Sequence, residues 1–208
     1  MHGKRRLEQR DALKKVIQYI KENQIGYLFI AGDLYEQEYI QQSTIEYCNR
    51  QFREIPDTKI FIAPGNHDPY LKNSYYKNYN WSTNVHIFNG EVQSYEDEEA
   101  IIHGCGFTDF YNNDEDVEKI ILKDKEKINI LVTHGDLDAS RTAEKNYRPI
   151  SSKKLQEIGF DYVALGHVHN SNFNPNSRIQ YAGSTICLGF DEIGKHGMIV
   201  RRNRWRKL

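Results

Sequence analysis

The chain has 208 residues, 38% of them hydrophobic and 12% aromatic, which suits one domain with a buried core and excludes compositional disorder. Its 28 Lys and Arg against 29 Asp and Glu leave a formal charge of −1, which excludes a generic polybasic nucleic-acid binder, though not a local basic face. No run approaches the roughly 20 apolar residues that cross a bilayer, and the three scattered cysteines Cys48, Cys105 and Cys187 give neither a disulfide framework nor a thiolate zinc motif, so they read as reduced thiols of a cytoplasmic protein. In chain order, the basic start (Met1 to Arg6) lacks the apolar run of a secretory signal. Ala12, Leu13, Val16, Ile17 and Ile20 recur at helical spacing and predict a helix over about 7–23. The apolar run 27–31 ends at Gly32-Asp33 and reads as a buried parallel strand. A second helix is predicted over 38–52, then a strand over 59–63 that closes on Pro64-Gly65-Asn66-His67-Asp68. Tyr75, Tyr76, Tyr79 and Trp81 read as aromatic packing over a loop, or as one wall of a substrate groove. Strands are predicted over 85–88, 100–104 and 128–133, the last running into His134-Gly135-Asp136. A helix over 151–158 precedes a strand over 162–165 that ends at Gly166-His167-Val168-His169, and short strands follow at 179–182 and 196–201. The charged runs 96–99 and 123–127 read as solvated turns.

Alternating strands and helices predict an α/β sandwich. Four strands end in residues of one chemical type: Asp33; then Asn66, His67 and Asp68; then His134; then His167 and His169. Ligands of open α/β sheets sit beyond the carboxyl ends of the strands, so residues scattered in sequence can converge there. Imidazole suits borderline divalent cations, and carboxylate or amide oxygens fill the harder positions. A single Asp can bridge two such cations, and a histidine that binds no metal can serve a leaving group. Taken alone, Gly32-Asp33 is an ordinary turn and His134 an ordinary structural histidine. Gly-His-Val-His says more, because alternate residues of an extended segment point to one side. Gly-Asn-His-Asp behind a buried strand is the most specific piece, and the four blocks in this order argue for a metal centre.

On these residues the chain resembles the calcineurin-like metallophosphoesterases, whose blocks read D-x-H, G-D, G-N-H-D/E, H and G-H-x-H. Gly32-Asp33, Gly65-Asn66-His67-Asp68, His134 and Gly166-His167-Val168-His169 match the last four. The finer resemblance is to the SbcD-like DNA-repair exonuclease branch, through Ile30-Ala31-Gly32-Asp33-Leu34-Tyr35, Pro69, Trp81, the segment 84–88, the segment 161–167, Tyr181-Ala182-Gly183-Ser184 and Phe190-Asp191-Glu192. The resemblance implies a four-layer α/β/β/α sandwich and a metal-dependent phosphodiesterase with two divalent ions, Mn²⁺ by preference. It implies that Asp33 bridges both ions, that Asn66, His134 and His167 complete the second site, and that His169 belongs to the first. His67 would be the catalytic non-ligand, oriented by Asp68. DNA is the implied substrate and a coiled-coil ATPase the implied partner subunit, with no membrane. Small phosphodiesters, phosphoproteins or a non-catalytic binding role stay open.

The D-x-H block is not found before the first helix, so the first metal site keeps only Asp33 and His169, and the first strand of the sandwich is missing. A single domain over 1–208, N-terminally truncated relative to the family, is the preferred reading, because the core otherwise lacks a strand. The alternatives are a natural one-metal or inactive relative, or His2 in place of a lost ligand. The basic clusters Lys4, Arg5, Arg6 and Arg10, and the tail 201–208 with Trp205, read as frayed termini or as phosphate and base contacts.

Overall fold

The computed structural model describes residues 2–111, 116–139, 147–187, 192 and 194–202, with side chains in the first helix from residue 7 onward. In chain order the elements are α1 (His2–Asn23), β1 (Tyr27–Ile30), α2 (Gln42–Arg53), β2 (Lys59–Ile62), α3 (Tyr75–Asn78), β3 (Val85–Ile87), β4 (Gln93–Glu96), β5 (Ala100–Cys105), a 3-10 turn (Asp116–Lys119), β6 (Ile128–His134), α4 (Ser152–Ile158), β7 (Tyr162–Gly166) and β8 (Ile179–Tyr181). They form two sheets, β1-β2-β3 and β4-β5-β6-β7-β8. The first is parallel throughout. The second is parallel except for β4, which runs antiparallel along β5.

Residue alternation in the strands divides the core into three layers of side chains. Ile60 and Ile62 of β2 face Ile17 and Ile20 of α1 and Ile45 and Phe52 of α2. Phe61 points the other way, and with Phe29 and Ala63 it meets Ile102 and Val132 of the second sheet. Leu131, Val163 and Leu165 leave the far side of that sheet and pack on Leu155 of α4 and Val117 of the 3-10 turn. The order of layers is therefore helix, sheet, sheet, helix, as the resemblance implies. Gly159 ends α4 in the left-handed conformation at φ 90°, and the Ser151 side chain caps its start by accepting from the Lys154 N–H.

Apart from the strand expected at 196–201, the predicted helices and strands are present with bounds shifted by a few residues. The first helix begins at His2, and the second at Gln42. The absence of any helical stretch at 38–41 follows from the loop that leaves Asp33 and folds back, where the Gln37 N–H donates to the His67 carbonyl. No strand forms at 196–201: Gly197 sits at φ 158°, and the Arg201 guanidinium donates instead to the carbonyls of Pro175, Asn174 and Ser177. Three elements went unforeseen: β4, whose Gln93, Ser94 and Glu96 lie exposed at the sheet edge, and the single turns α3 and Asp116–Lys119. Among the described residues β1 pairs with β2 alone, so its second edge carries no strand.

The acidic run after β4 is not simply solvated. The Asp97 carboxylate accepts from the Tyr27 hydroxyl at 2.5 Å and from Lys59 Nζ at 2.7 Å, which clasps the second sheet to the first. Lys127 adds a contact to Glu96 at 2.7 Å from the other charged run. The aromatic stretch packs into the helix-side core, with Tyr79 edge-on to Trp81. Arg10 lies over the Tyr47 ring at 4.8 Å. Residues 203–208, with Trp205, lie outside the described residues, as do the side chains of His2, Lys4, Arg5 and Arg6.

Candidate metal centre

Two glycines explain why the ligand-bearing residues can meet. A Cβ on Gly166, at the end of β7, would stand 1.6 Å from the Ala31 carbonyl oxygen just past β1. A Cβ on Gly32 would stand 2.3 Å from His134 Nδ1, and Gly32 also holds φ +86°. The two sheets thus touch backbone to backbone at the carboxyl ends of their strands, which only glycine permits. Asp33 follows at φ 55° and His167 at φ 107°, both rare conformations for residues with a side chain.

These turns gather Asp33, Asn66, His134 and His167. His134 Nε2 lies 2.9 Å from Asn66 Oδ1 and 3.3 Å from Asp33 Oδ2. His167 Nδ1 lies 3.2 Å from the same Asn66 oxygen. Asp33, His134 and His167 offer ligand atoms within 4.8 Å of one another. His134 is buried to 0% exposure, and burial pushes its pKa down to about 4 against the pull of Asp33, so the ring is neutral at pH 7.

The protons of both rings are placed by their outer partners. His134 Nδ1–H donates to the Ala31 carbonyl at 2.8 Å, which leaves the Nε2 lone pair facing inward. His167 Nε2 lies 3.3 Å from Asp136 Oδ1, a carboxylate that favours the proton on Nε2 and so the lone pair on the inward Nδ1. Two nitrogen lone pairs, an amide oxygen and a carboxylate oxygen then converge with no proton between them. Turning over the Asn66 amide would supply donors to the nitrogens, yet Asp33 Oδ2 would still face His134 Nε2. A mutually repelling set of acceptors of this kind, with His134 held from behind by the Ala31 carbonyl and Asp33 by the His67 N–H, fits a divalent cation.

Asp68 does something other than orient His67. It is wholly buried, and its carboxylate accepts from the N–H groups of Gly65 (2.7 Å), Asp33 (2.9 Å) and Leu34 (2.6 Å) and from the Tyr76 hydroxyl (2.6 Å). It pins the Asp33 loop to the Asn66-His67 loop. Burial, with the Asp33 charge beside it, raises its pKa against those four donors. The partner of His67 is Glu36, whose Oε2 lies 2.8 Å from Nδ1. The His67 ring is half exposed beside the cluster, and its backbone N–H donates to Asp33 Oδ1 at 3.0 Å. Burial pulls its pKa down, but the carboxylates of Asp33, Glu36 and Asp68 outweigh that and hold it raised.

His169 does not join the four. The strand ends at Gly166 and the unusual φ of His167 breaks the extended path, so His167 and His169 face different partners. His169 Nδ1 meets Glu192 Oε1 at 2.5 Å. Glu36, Asp136 and Glu192 were not singled out from the sequence. Each partners a histidine from a neighbouring loop; for Glu36 and Asp136 the only signal was an acidic residue within three positions of Asp33 or His134, and Glu192 stood only within the Phe190-Asp191-Glu192 segment of the resemblance.

Residues 1–171 match the family model of the calcineurin-like phosphoesterases, and the chain belongs to that family of phosphoester hydrolases. It is 26% identical over 231 aligned positions to the D subunit of the nuclease SbcCD of Staphylococcus epidermidis, an alignment that takes in 94% of this chain. The chain spans 60% of the length of that relative. No helix among the described residues is long and apolar enough to cross a membrane.

Proposed function

We propose that the chain is a metal-dependent phosphodiesterase acting on DNA, in the manner of the repair exonucleases. The inward lone pairs of Asp33, Asn66, His134 and His167 carry this reading, together with the nuclease named as a relative. These four residues would hold one divalent ion, Mn²⁺ by preference. Bound there, such an ion polarises a phosphoryl oxygen and neutralises charge on the phosphate. His67 stands beside the cluster as the proton carrier for the leaving oxygen. Glu36 holds its Nδ1, which keeps Nε2 directed outward. Asp68 fixes the loops that carry Asp33 and His67. A second ion would share Asp33 and take His169, and this dinuclear centre needs ligands beyond those two. The name of the relative marks it as one subunit of a complex, which supports a partner subunit here, the coiled-coil ATPase of the resemblance. A cytoplasmic location accords with three cysteines that form no disulfide.

Metal content after Mn²⁺ loading, followed by hydrolysis of linear DNA and of bis-(p-nitrophenyl) phosphate, tests the reading. DNA cleavage lost in His67→Gln with metal content retained supports it. Metal lost in that variant would refute the non-ligand role. Faster turnover of the small diester than of DNA would move the substrate class to small phosphodiesters. Absence of hydrolysis at full metal occupancy would make the chain a binding module.

A further inference from the structure

A second group of metal-capable side chains lies on the other side of His169. Cys187, Glu192 and His196 offer a thiol sulfur, a carboxylate oxygen and an imidazole nitrogen within 4.8 Å of one another. The spacing hid this group, because its sulfur stands alone in sequence and five and nine positions separate it from its partners. The fold closes that distance through Ser184. The Ser184 N–H donates to the His169 carbonyl at 2.8 Å, and the Gly197 N–H donates to the Ser184 carbonyl at 3.3 Å. Both ends of the segment that carries the three side chains are thereby tied to one point beside β8.

The histidine is oriented as a ligand would be. His196 Nε2–H donates to the Glu192 carbonyl oxygen at 2.9 Å, which fixes the ring, and Nδ1 lies 3.0 Å from the Ser184 hydroxyl and 3.3 Å from the Ser184 carbonyl oxygen. A backbone carbonyl behind the distal nitrogen is the usual outer partner of a metal-bound imidazole. Glu192 is buried, at 9% exposure, while Cys187 is exposed and gives an ion a path from solvent. One sulfur, one nitrogen and one oxygen donor form a softer set than the oxygen- and nitrogen-only cluster around Asp33, and such a set selects zinc over manganese.

We propose that Cys187, Glu192 and His196 form a zinc site separate from the catalytic cluster. Zinc would displace the Cys187 thiol proton on binding. Because Glu192 also holds His169, an ion at this site would fix the carboxylate that sets the His169 ring. The inference does not depend on the phosphodiesterase reading, because a sulfur ligand can be detected without any turnover.

The test is titration of the metal-free, reduced protein with Co²⁺, which reports thiolate ligation as a near-ultraviolet charge-transfer band that oxygen and nitrogen donors do not produce. The band is expected in the unsubstituted protein, in Cys48→Ser and in His134→Ala, and is expected to vanish in Cys187→Ser. Zinc bound per chain should fall by one equivalent in Cys187→Ser and stay unchanged in Cys48→Ser. A band that survives Cys187→Ser, or none at cobalt saturation of the unsubstituted protein, would overturn the proposal. Loss of the band in His134→Ala would also overturn it, by showing one shared site in place of two. Since Cys187 is exposed, its serine variant leaves the core untouched, and the unsubstituted protein can overturn the proposal without any variant.

Discussion

Asp68 shows how a single side chain can hold a site together without touching its reactants. Three backbone N–H groups and a tyrosine hydroxyl converge on its carboxylate. Asp68→Ala would leave these buried donors without an acceptor, and each such group costs about 1–3 kcal/mol. Urea unfolding should show a loss of several kcal/mol, among the larger single-residue effects. Tyr76→Phe removes only one donor, so about 1 kcal/mol is expected. Glu36 gives the opposite profile. It is exposed, so Glu36→Ala should leave the unfolding midpoint nearly unchanged. Turnover should nonetheless drop roughly 10–100-fold at constant metal content, as outer partners of functional histidines commonly show. Steady-state kinetics beside metal analysis separates the two, and unchanged kcat would remove Glu36 from the site. The four inward-facing residues could be read from the sequence because each closes an apolar strand or follows one within a few residues. Glu36, Asp136 and Glu192 could not, because their partnership with a histidine exists only after loops from different strands meet. Asp68 was expected to orient His67, yet an aspartate next to a histidine in sequence need not face it in space, and here Glu36 meets the His67 ring.

Elements were legible in proportion to their burial. Strands β2, β5 and β6 are apolar runs, and their bounds came within one or two residues. Strand β4 has no such run because it is an edge, and its pairing with β5 alone makes it a strand. The charged turn after it shows a related blind spot, for charge runs are usually solvated and this one clasps two sheets. Burial pushes the Asp97 carboxyl up, yet Lys59, the Tyr27 hydroxyl and the amides of Ala100 and Glu99 outweigh that and hold its pKa well below the usual carboxylate range. A depressed folded-state pKa means stabilisation that is complete above the unfolded value near 3.9 and lost as pH falls through the folded one. Asp97→Asn should therefore cost about 1–2 kcal/mol at pH 7, a figure reduced for the exposure of Lys59. The difference from the unsubstituted protein should narrow below about pH 4. Urea titrations at pH 7 and pH 3 check this, and a gap that widens in acid would show that the clasp is not the source. Gly166 makes the complementary case at the far end of the same sheets. With an added methyl 1.6 Å from the Ala31 oxygen, Gly166→Ala should separate the sheets and lower both stability and metal affinity.

At the scale of the whole molecule, the candidate metal centre is the seam between two sheets. Asp33 and Asn66 follow β1 and β2 of one sheet, while His134 ends β6 and His167 follows β7 of the other. The set of acceptors at that seam is mutually repulsive until a cation enters, so the ion should stabilise the fold as well as serve chemistry. An ion bound only by the folded state adds RT ln(1 + [M]/Kd), about 2.7 kcal/mol at a hundredfold excess over Kd. A domain of this size shifts its melting temperature by about 2–4 °C per kcal/mol, so saturating Mn²⁺ should raise Tm by roughly 5–10 °C over the chelated protein. The rise should disappear in Asp33→Ala and His134→Ala and persist in His67→Gln, which removes no inward lone pair. It should also persist in Cys187→Ser, because manganese prefers the oxygen and nitrogen donors of the seam. Calorimetry of the five proteins with Mn²⁺ and with chelator makes the comparison directly. An equal rise in Asp33→Ala would mean that the ion binds elsewhere and that the converging acceptors hold no metal.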